Sequence, residues 1–487
     1  MKFFLKNQKA KGYKYVDMAL DLVDDGDDLD LANLPKNHLP GNITSKMLYR
    51  DIINIAWPSV LELTLTQLAS MVDLMMVGQL GPWALSAVGL TLQPKFLLMI
   101  MFMSMNVGAT SMVARYKGSG NRENANLILR QALLLTITFS IIASIVGFIF
   151  SEPLVKFMGA ADSQTLSGGT IYLKIQMVGF AFMALTTTIT ATLRGVGDSR
   201  TAMIYNLTAN VVNVIFNYLL IGGNLGFPRL EVAGASLATI IGQLVAFIFA
   251  FIYITKGNQY LHLRFKDGFK PDKTALKQIF VIGIPAMIEQ LVMRIGIIIY
   301  SKAVAGLGTI AFAAHQVCMN ILSLSFMNGQ GFAVSATSLT GQSLGKNRPD
   351  MANAYVMRTR RTGMIISIIM GVVFVIWGGK IVSLYSDDAT VIVKGARIMM
   401  LVGLIQPFQS SQFILAGALR GAGDTKATAI ITFVTVLIVR PGLAILLINF
   451  MNWGLEGAWI AFVADQLLRS LFVLLRYSSG KWKSIKL

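Results

Sequence analysis

The sequence predicts an all-α integral membrane protein with twelve transmembrane helices, arranged as two homologous six-helix bundles related by a pseudo-two-fold axis along the membrane normal. Three observations predict this fold class. The composition is too apolar for a water-soluble surface, apolar runs long enough to cross a bilayer recur along the chain, and two long segments of the chain repeat one another. The first observation predicts a lipid-facing surface, the second predicts the transmembrane helices, and the third predicts the symmetry.

The composition indicates a lipid-embedded surface. Apolar residues make up 54% of the 487 residues and charged residues only 14%, whereas a water-soluble surface needs about 25% charge. The net charge of +18 would suit nucleic-acid binding, but the basic residues lie between the apolar runs, as in the loops of a membrane protein. We therefore expect the lipid bilayer, and not a nucleic acid, as a partner.

Apolar runs of 20 or more residues recur from Ile52 onward. About 20 helical residues, at a rise of 1.5 Å each, cross roughly 30 Å of hydrocarbon. The predicted spans are 52–77, 83–114, 124–150, 166–193, 201–222, 232–255, 276–304, 310–341, 362–384, 390–418, 427–449 and 456–476.

The distribution of Lys and Arg predicts the orientation. Basic residues collect in the connections after the second, fourth, sixth, eighth and tenth spans and after the last span, while the other connections hold little beyond Lys156, Arg229 and Lys380. The positive-inside rule then places both termini and the connection 256–277 in the cytoplasm. No cleavable signal peptide is visible, so we expect a multi-pass protein of the inner or plasma membrane whose first span is the insertion signal.

An internal repeat predicts the domain organisation. IAWPSVLE, starting at Ile55, recurs as IGIPAMIE, starting at Ile282, at an offset of 227 residues; LRGVGDSRTA, starting at Leu193, recurs as LRGAGDTKAT, starting at Leu419, at an offset of 226. Halves with an even number of helices insert in the same orientation, which predicts a cleft between them of the kind that transporters use. A duplicated membrane scaffold without transport activity is the alternative. The predicted parts are a cytoplasmic N-terminal tail (1–45), an N-terminal bundle (46–256), a cytoplasmic linker (257–275), a C-terminal bundle (276–476) and a cytoplasmic C-terminal tail (477–487).

The N-terminal tail carries an acidic run, LVDDGDDLDL. A mixed-charge tail of this kind is typical of solvated chain, and binding to a partner is the alternative interpretation.

Three carboxylates lie inside predicted spans, where an ionisable group costs roughly 2.5 to 3.5 kcal/mol. Asp73 follows Glu62 by eleven residues, close to three helical turns, so both are expected on one face that points into the cleft. Glu289 is the repeat counterpart of Glu62. Because burial penalises the charged form of a carboxyl group, these residues are predicted to bind a coupling proton or cation: Asp73, Glu62 and Glu289.

Other interpretations of these acids stay open. Asp73 could instead be the centre of a structural hydrogen-bond network with polar neighbours, and Arg294 could pair with Glu289 and keep it ionised. The polar side chains inside the spans that we predict to line a substrate cleft are Gln67, Asn210, Asn213, Asn217, Gln290, His315, Gln409 and Gln412. His315 is interpreted as a buried core histidine, with a proton relay as the alternative.

A further set of residues is predicted to serve gating or structure. Proline near the start of each half removes a backbone donor and permits a kink, either as a hinge or as a static bend. The duplicated RGxGD connection supplies glycines for tight turns and charges that cap helix ends or pair across a closed cytoplasmic face. These residues are Pro58, Pro285, Arg194, Asp198, Arg420 and Asp424.

Several chemistries are excluded. GQSLGKN is one residue short of a phosphate loop between its glycines and ends in Asn where Ser or Thr should bind magnesium. The single cysteine, Cys318, cannot form an internal disulfide. No zinc-protease motif, nucleophile elbow or Cys/His cluster is present in the sequence, so we expect neither an enzyme nor a metal or cofactor.

Taken together, these motifs resemble the multidrug and toxic compound extrusion (MATE) family. The resemblance rests on the paired P-x-x-x-E starts, on MVDLMMVGQLG, on VAGLGTIAFAAHQV and above all on the duplicated LRGxGD. It extends from about Ile52 to Arg476. The resemblance implies two six-helix bundles that form a V and export drugs in exchange for protons or sodium ions, with Asp73 at the position of the coupling aspartate in the first helix.

Two departures from the family pattern bear on the coupling ion. Many relatives carry an acid eight residues after the proline of the seventh helix, where Met293 stands here, and some carry an aspartate in the tenth helix, where Gln409 stands. We therefore expect protons rather than sodium ions, coupled through the N-terminal half of a monomer that exports small cationic or amphiphilic compounds. A lipid-linked-precursor flippase of the same fold superfamily is the alternative, along with the non-transporting scaffold.

Overall fold

The structure is a computed structural model that describes residues 43–160, 162–256 and 259–485. Within these residues twelve helices are long and apolar enough to cross a membrane, and no strand occurs. They are α1 (Ser45–Gly78), α2 (Pro82–Gly118), α3 (Arg122–Ile149), α4 (Ser163–Gly195), α5 (Ser199–Gly222), α6 (Glu231–Thr255), α7 (Lys273–Ala305), α8 (Thr309–Gly345), α9 (Pro349–Ser383), α10 (Ala389–Gly421), α11 (Thr425–Phe450) and α12 (Gly454–Ser478). The acidic run of the N-terminal tail lies outside the described residues.

The helices confirm the predicted number and order of spans, and α9 shows the largest difference in length. The predicted span begins at residue 362, whereas the helix begins at Pro349. The additional helical residues include Arg358, Arg360 and Arg361, which precede the apolar run. A hydropathy pattern reports only the part of a helix that crosses hydrocarbon, and so it missed this extension.

The duplicated RGxGD motif forms the same turn in both halves. Gly197 and Gly423 have φ values of +86° and +87°, a region that glycine enters without strain. Asp198 then caps α5 by accepting a hydrogen bond from the Thr201 backbone N–H at 3.2 Å. Asp424, at the same place before α11, accepts from Arg476 Nε at 2.8 Å.

The first six and the last six helices form two bundles that exchange the start of their first helix. Leu48, Ile52 and Ile55 of α1 are buried in a core cluster with α8, α9, α10 and α12. Their repeat counterparts in α7, which are Ala275, Ile279 and Ile282, are buried against α2, α3 and α4. The side of the membrane on which α1 begins and α12 ends is called the basic side below, since the basic connections lie there.

Helices α2 and α8 cross and seal the molecule at the basic side. Ser111 of α2 donates to the Gly421 carbonyl at 3.0 Å, and its counterpart Ser338 of α8 donates to the Gly195 carbonyl at 2.9 Å. The backbones also touch: a Cβ at Gly118 would clash with the carbonyl of Gln342, and a Cβ at Gly345 would clash with the carbonyl of Arg115. These contacts are related by the repeat, so the two bundles meet near their symmetry axis.

Proline residues and π-helical turns lie inside several helices without ending them. Pro58 lies inside α1 and Pro285 inside α7, and both helices continue through. Helix α11 contains two π-helical stretches, Phe433–Val439 and Leu446–Phe450, on either side of Pro441. A proline lacks the backbone donor, and a wider turn accommodates the carbonyl that loses its partner.

Candidate functional site

Polar side chains connect α1 and α5 in a regular register. The two helices run parallel, and residues that bond across them are separated by 144 positions each time. Asn206 donates to Glu62 at 2.7 Å, Asn210 to Thr66 at 2.8 Å, and Asn217 to Asp73 at 2.5 Å. Glu62 and Asp73 therefore share one face of α1, as their spacing predicts. That face contacts α5 within the first bundle, where Asn206 and Asn217 donate to the two carboxylates. Its predicted orientation into the gap between the bundles stays a prediction.

Asp73 is half-buried and accepts several hydrogen bonds. In addition to Asn217, the Asn213 amide has one orientation that satisfies both of its ends. In that orientation its nitrogen donates to Asp73 Oδ1 at 2.9 Å and to Oδ2 at 3.0 Å, and its oxygen accepts from the Thr239 backbone N–H at 3.1 Å. Of the network proposed for Asp73 from the sequence, Asn213 and Asn217 make direct contact with the carboxylate.

A lysine that the sequence analysis did not consider lies beside this acid. Lys95 of α2 donates to Gln176 Oε1 at 2.7 Å and is close enough to Asp73 for the opposite charges to attract. Gln176 in turn donates to Ser236 Oγ at 3.1 Å. A lysine inside an apolar run is the signal that would have identified it, since such residues are rare in membranes and face the interior.

Four helices, α1, α2, α4 and α5, contribute to a cluster that we call the polar pocket. Its members are Asp73, Lys95, Gln176, Asn213 and Asn217. It holds one carboxylate and one ammonium group in a membrane interior, together with amides that donate and accept. Such a pocket can bind a cation at the carboxylate, an anion at the ammonium group, or a proton.

Glu62 and Glu289 form equivalent ion pairs in the two bundles. Glu62 accepts from Arg194 Nη2 at 2.8 Å, and Glu289 accepts from Arg420, the repeat counterpart of Arg194. Glu289 also accepts from Thr428 Oγ1 at 2.8 Å. Each RGxGD arginine thus neutralises the glutamate of the first helix in its own bundle. These contacts favour a structural role for both glutamates over the predicted binding of a coupling ion.

Arg294 does not pair with Glu289. Its guanidinium lies 3.4 Å from the ring centroid of Phe96, which belongs to the other bundle. The five residues between Glu289 and Arg294 turn about 140° around α7, which directs the two side chains to different faces. Arg294 therefore lies where α2 and α7 face each other between the bundles.

Five further residues predicted for the cleft, four of them in the second half, do not join the polar pocket. His315 is buried in an aromatic cluster, 5.6 Å from the ring centroid of Tyr300 and 5.4 Å from that of Trp459. Gln409 and Gln412 are buried in α10. Gln67 and Gln290 are half-buried on α1 and α7. The surroundings of His315 match those of a core histidine.

The second bundle contains its own buried charges, which the sequence analysis missed. Asp465 accepts from Arg440 Nε at 3.0 Å and from Arg469 Nη2 at 2.8 Å, and all three residues are buried. The Arg440 guanidinium also lies 4.7 Å from the Phe462 ring centroid. Three charged residues within two predicted spans, two of them four residues apart, were the available signal.

The fold and this site define a class of protein: a membrane transporter with two like-oriented bundles, sealed to each other at one side, and a charged pocket within the membrane. Residues 58–219 and 285–446 each match the MatE family, one match per bundle. The chain belongs to the MATE family of transporters.

Several similar proteins have names that agree with membership of this family. The chain is 29% identical over 456 residues to the "Probable multidrug resistance protein NorM" of Thermotoga maritima, which covers 93% of this chain and 96% of the relative. It is 24% identical to the "Multidrug resistance protein MdtK" of Yersinia pestis, over 88% of this chain and 94% of the relative. It is also 25% identical to the "Uncharacterized transporter YisQ" of Bacillus subtilis, over 89% and 94%.

Solved structures share the fold. One, described as "Crystal structure of MATE in the bent conformation", superimposes with a TM-score of 0.82 at 21% identity and covers 90% of this chain and 97% of that chain. A second, described as an "Outward-facing conformation of a multidrug resistance MATE family transporter of the MOP superfamily", gives a TM-score of 0.83 at 21% identity with the same coverage of both chains.

Proposed function

We propose that the chain is a secondary active antiporter that exports small organic compounds, cationic or amphiphilic, in exchange for protons. The observation that carries the proposal is Asp73, a half-buried acid held by Asn213 and Asn217 inside the first bundle. An acid in this environment binds a proton or a cationic ligand in competition, because either one neutralises its charge. Two of the named relatives, NorM and MdtK, carry the name of multidrug resistance proteins, which supports export of small organic compounds.

The ligands of Asp73 support protons over sodium ions. A hard metal cation takes several oxygen ligands. Here the carboxylate oxygens face amide N–H groups, and the nearest further charge is the ammonium group of Lys95. A sodium ion would have to displace those donors and would be repelled by Lys95, whereas a proton needs only one carboxylate oxygen.

The seal at the basic side supports alternating access. With both termini in the cytoplasm, as the basic connections favour, the structure corresponds to a state closed to the cytoplasm. Inward opening then requires that the Ser111 and Ser338 hydrogen bonds break and that α2 separates from α8. Binding of a proton at Asp73 would release a cationic substrate outward, and the two bundles would then rock about this contact. We propose a monomer in the inner or plasma membrane, since one chain contains both bundles and the pocket.

Reconstitution tests the proposal. Proteoliposomes that contain the chain and an acidic lumen should take up a cationic dye, because protons leaving the lumen drive dye inward, and a sodium gradient alone should not. Asp73→Asn should abolish gradient-driven uptake while Asp387→Asn, at an exposed acid between α9 and α10, should leave it unchanged. Uptake driven only by sodium would refute proton coupling, and full activity of Asp73→Asn would refute the role of this acid.

One observation favours a second candidate, the flipping of an anionic amphiphile. Lys95 in the polar pocket and Arg294 at the interface of the bundles place two cationic groups inside the membrane, and neither forms an ion pair with a described carboxylate at contact distance. The same proteoliposomes, loaded with a fluorescent anionic lipid and quenched from outside, separate the two candidates. Lipid movement without dye uptake would favour the flippase.

A further inference from the structure

A groove at the basic side lies between the start of α1 and residues 357–368 of α9. Its volume is about 760 Å³, within the range of small-molecule sites. It is lined by Ser45, Tyr49, Met357, Arg358, Arg360, Arg361, Met364, Ile365 and Ile368. The name arginine groove is used below for this feature.

The positive charges of the arginine groove have no acidic partner in the part of the chain that the structure describes. Arg358 Nε donates to Ser45 Oγ at 3.0 Å, and Arg360 Nε donates to Ser411 Oγ at 2.7 Å, so both bonds are to neutral groups. No ion pair joins these arginines or Arg361 to a carboxylate among the described residues. Three neighbouring guanidinium groups repel one another, and such a cluster is stabilised when an anion binds.

An apolar strip continues from the arginines into the membrane. Ile365 and Ile368 follow Arg361 on α9 and are 51% and 48% exposed, and Met364 completes the strip. These side chains lie one and two helical turns beyond the arginines, at the depth where acyl chains begin. The groove therefore presents cations at the level of headgroups and hydrocarbon directly below them.

The internal repeat allows the arginine groove to be compared with the equivalent place in the first bundle. At the offset of 227, the counterparts of Arg358, Arg360 and Arg361 are Gln131, Leu133 and Leu134. The counterpart of the Arg358–Ser45 contact is the bond from the Asp272 backbone N–H to Gln131 Oε1 at 3.2 Å. The counterpart residues are therefore in contact in both bundles, and in the first bundle this contact forms without arginines. The three positive charges are thus not required by the fold.

We propose that the arginine groove binds an anionic phospholipid from the cytoplasmic leaflet. Its phosphate would contact Arg358 and Arg361, with Tyr49 as a further donor, and its acyl chains would lie along Ile365 and Ile368. Guanidinium groups bind phosphate through paired hydrogen bonds, and basic pockets between helices on the cytoplasmic side are typical headgroup sites. The leaflet follows from the proposed orientation, but lipid binding does not depend on transport and is measured separately.

Lipid retention tests the proposal directly. The full chain, purified in detergent, is titrated with phosphatidylglycerol or phosphatidylcholine, and bound lipid is counted by native mass spectrometry. Phosphatidylglycerol should bind more tightly, and Arg358→Gln with Arg361→Gln should weaken its binding by about thirtyfold, which corresponds to about 2 kcal/mol for the two basic residues at about 1.4 kcal/mol per factor of ten. Lys266→Gln with Lys270→Gln removes two exposed charges from the same side of the first bundle and should leave binding unchanged.

Further variants separate loss of the site from loss of the fold. Arg358→Lys with Arg361→Lys keeps the charge and should retain most of the binding. Equal affinity for the two lipids, or unchanged affinity in the glutamine variant, would overturn the proposal. Full competition by soluble glycerol phosphate would also overturn it, since that anion has no acyl chain to contact Ile365 and Ile368.

The acidic run of the N-terminal tail could occupy the arginine groove in place of a phospholipid. One variant decides between these two occupants. In the full chain, Asp24, Asp25, Asp27, Asp28 and Asp30 are all replaced by Asn. Phosphatidylglycerol binding that equals that of the unsubstituted chain supports the lipid site. Binding that occurs only in this variant would show that the tail fills the groove, and would overturn the proposal.

Discussion

Asp73 and Tyr300 occupy equivalent positions in the two halves, 227 residues apart, but they make different contacts. Asp73 accepts from Asn217 at 2.5 Å inside the polar pocket, while the Tyr300 hydroxyl donates to the Ala458 carbonyl at 3.0 Å in a closed aromatic core. The internal repeat therefore preserves the backbone and not the site. Among the described residues this position carries an acid in the first bundle and a tyrosine in the second, so the proposed proton exchange is assigned to the first bundle.

Tyr300→Phe tests whether the second bundle takes part in coupling. The substitution removes one buried hydrogen bond, and the Ala458 carbonyl stays within its helix, so we expect a loss of about 1 kcal/mol in stability. Gradient-driven dye uptake should persist, because Tyr300 lies outside the polar pocket. Thermal unfolding in detergent and uptake by proteoliposomes measure the two quantities. A folded Tyr300→Phe protein without uptake would show that the second bundle takes part in coupling.

The sequence predicts most of the fold and only part of the site. Helix number, order and symmetry follow from apolar runs and the repeat, because hydrocarbon thickness fixes helix length. The contact between Asp73 and Asn217 also follows from the sequence, because polar groups inside a membrane face the protein interior and pair with one another. Pairing between distant residues does not follow: Glu289 meets Arg420, 131 positions away, and not Arg294, which is close in sequence but on another face of α7.

Lys95→Gln should change which charges the pocket accepts. Removal of the ammonium group leaves Asp73 as the only charge in the polar pocket, so a cationic substrate loses a repulsive neighbour and an anionic or zwitterionic one loses its attraction. We expect KM to fall severalfold for a cationic dye and to rise for a zwitterionic compound. Competition assays in proteoliposomes measure both.

The control for Lys95 is Lys174→Gln. Lys174 lies on α4 with its ammonium group 5.8 Å from the Phe148 ring centroid, outside the polar pocket. It should leave both KM values unchanged. Equal changes in the two lysine variants would point to a general effect of membrane charge and would contradict a specific role for Lys95.

Breaking the pair of Glu289 and Arg420 should destabilise the protein strongly. Glu289 is 3% exposed, so Arg420→Gln leaves a buried carboxylate without its cation and should cost about 3 kcal/mol or more. The double variant Glu289→Gln with Arg420→Gln should recover part of this loss, since two neutral amides need no counter-ion. Thermal unfolding of the single and double variants measures the coupling.

An exposed ion pair serves as the reference for these measurements. Arg397 and Glu456 are paired at 3.4 Å near the surface, and Glu456→Gln should change stability by less than about 1 kcal/mol. A double variant at Glu289 and Arg420 that is no more stable than the single variant would argue against a direct ion pair.

Glycine contacts at the seal predict a variant that cannot close the basic side. A side chain at Gly345 would overlap the carbonyl of Arg115, which is backbone and cannot move aside alone. Gly345→Val should therefore push α8 away from α2 and shift the population toward a state open at the basic side, because a tightly packed contact separates rather than deforms.

Spin labels at Ser119→Cys and Asn347→Cys, both exposed at this side, report the separation by pulsed electron paramagnetic resonance. The label distance should lengthen in Gly345→Val and stay constant in Gly89→Ala, where an added Cβ meets open space. If both variants gave the same distance as the unsubstituted pair, the close approach of α2 and α8 could not be the contact that holds the basic side closed, and the proposed rocking of the bundles would have to occur about another contact.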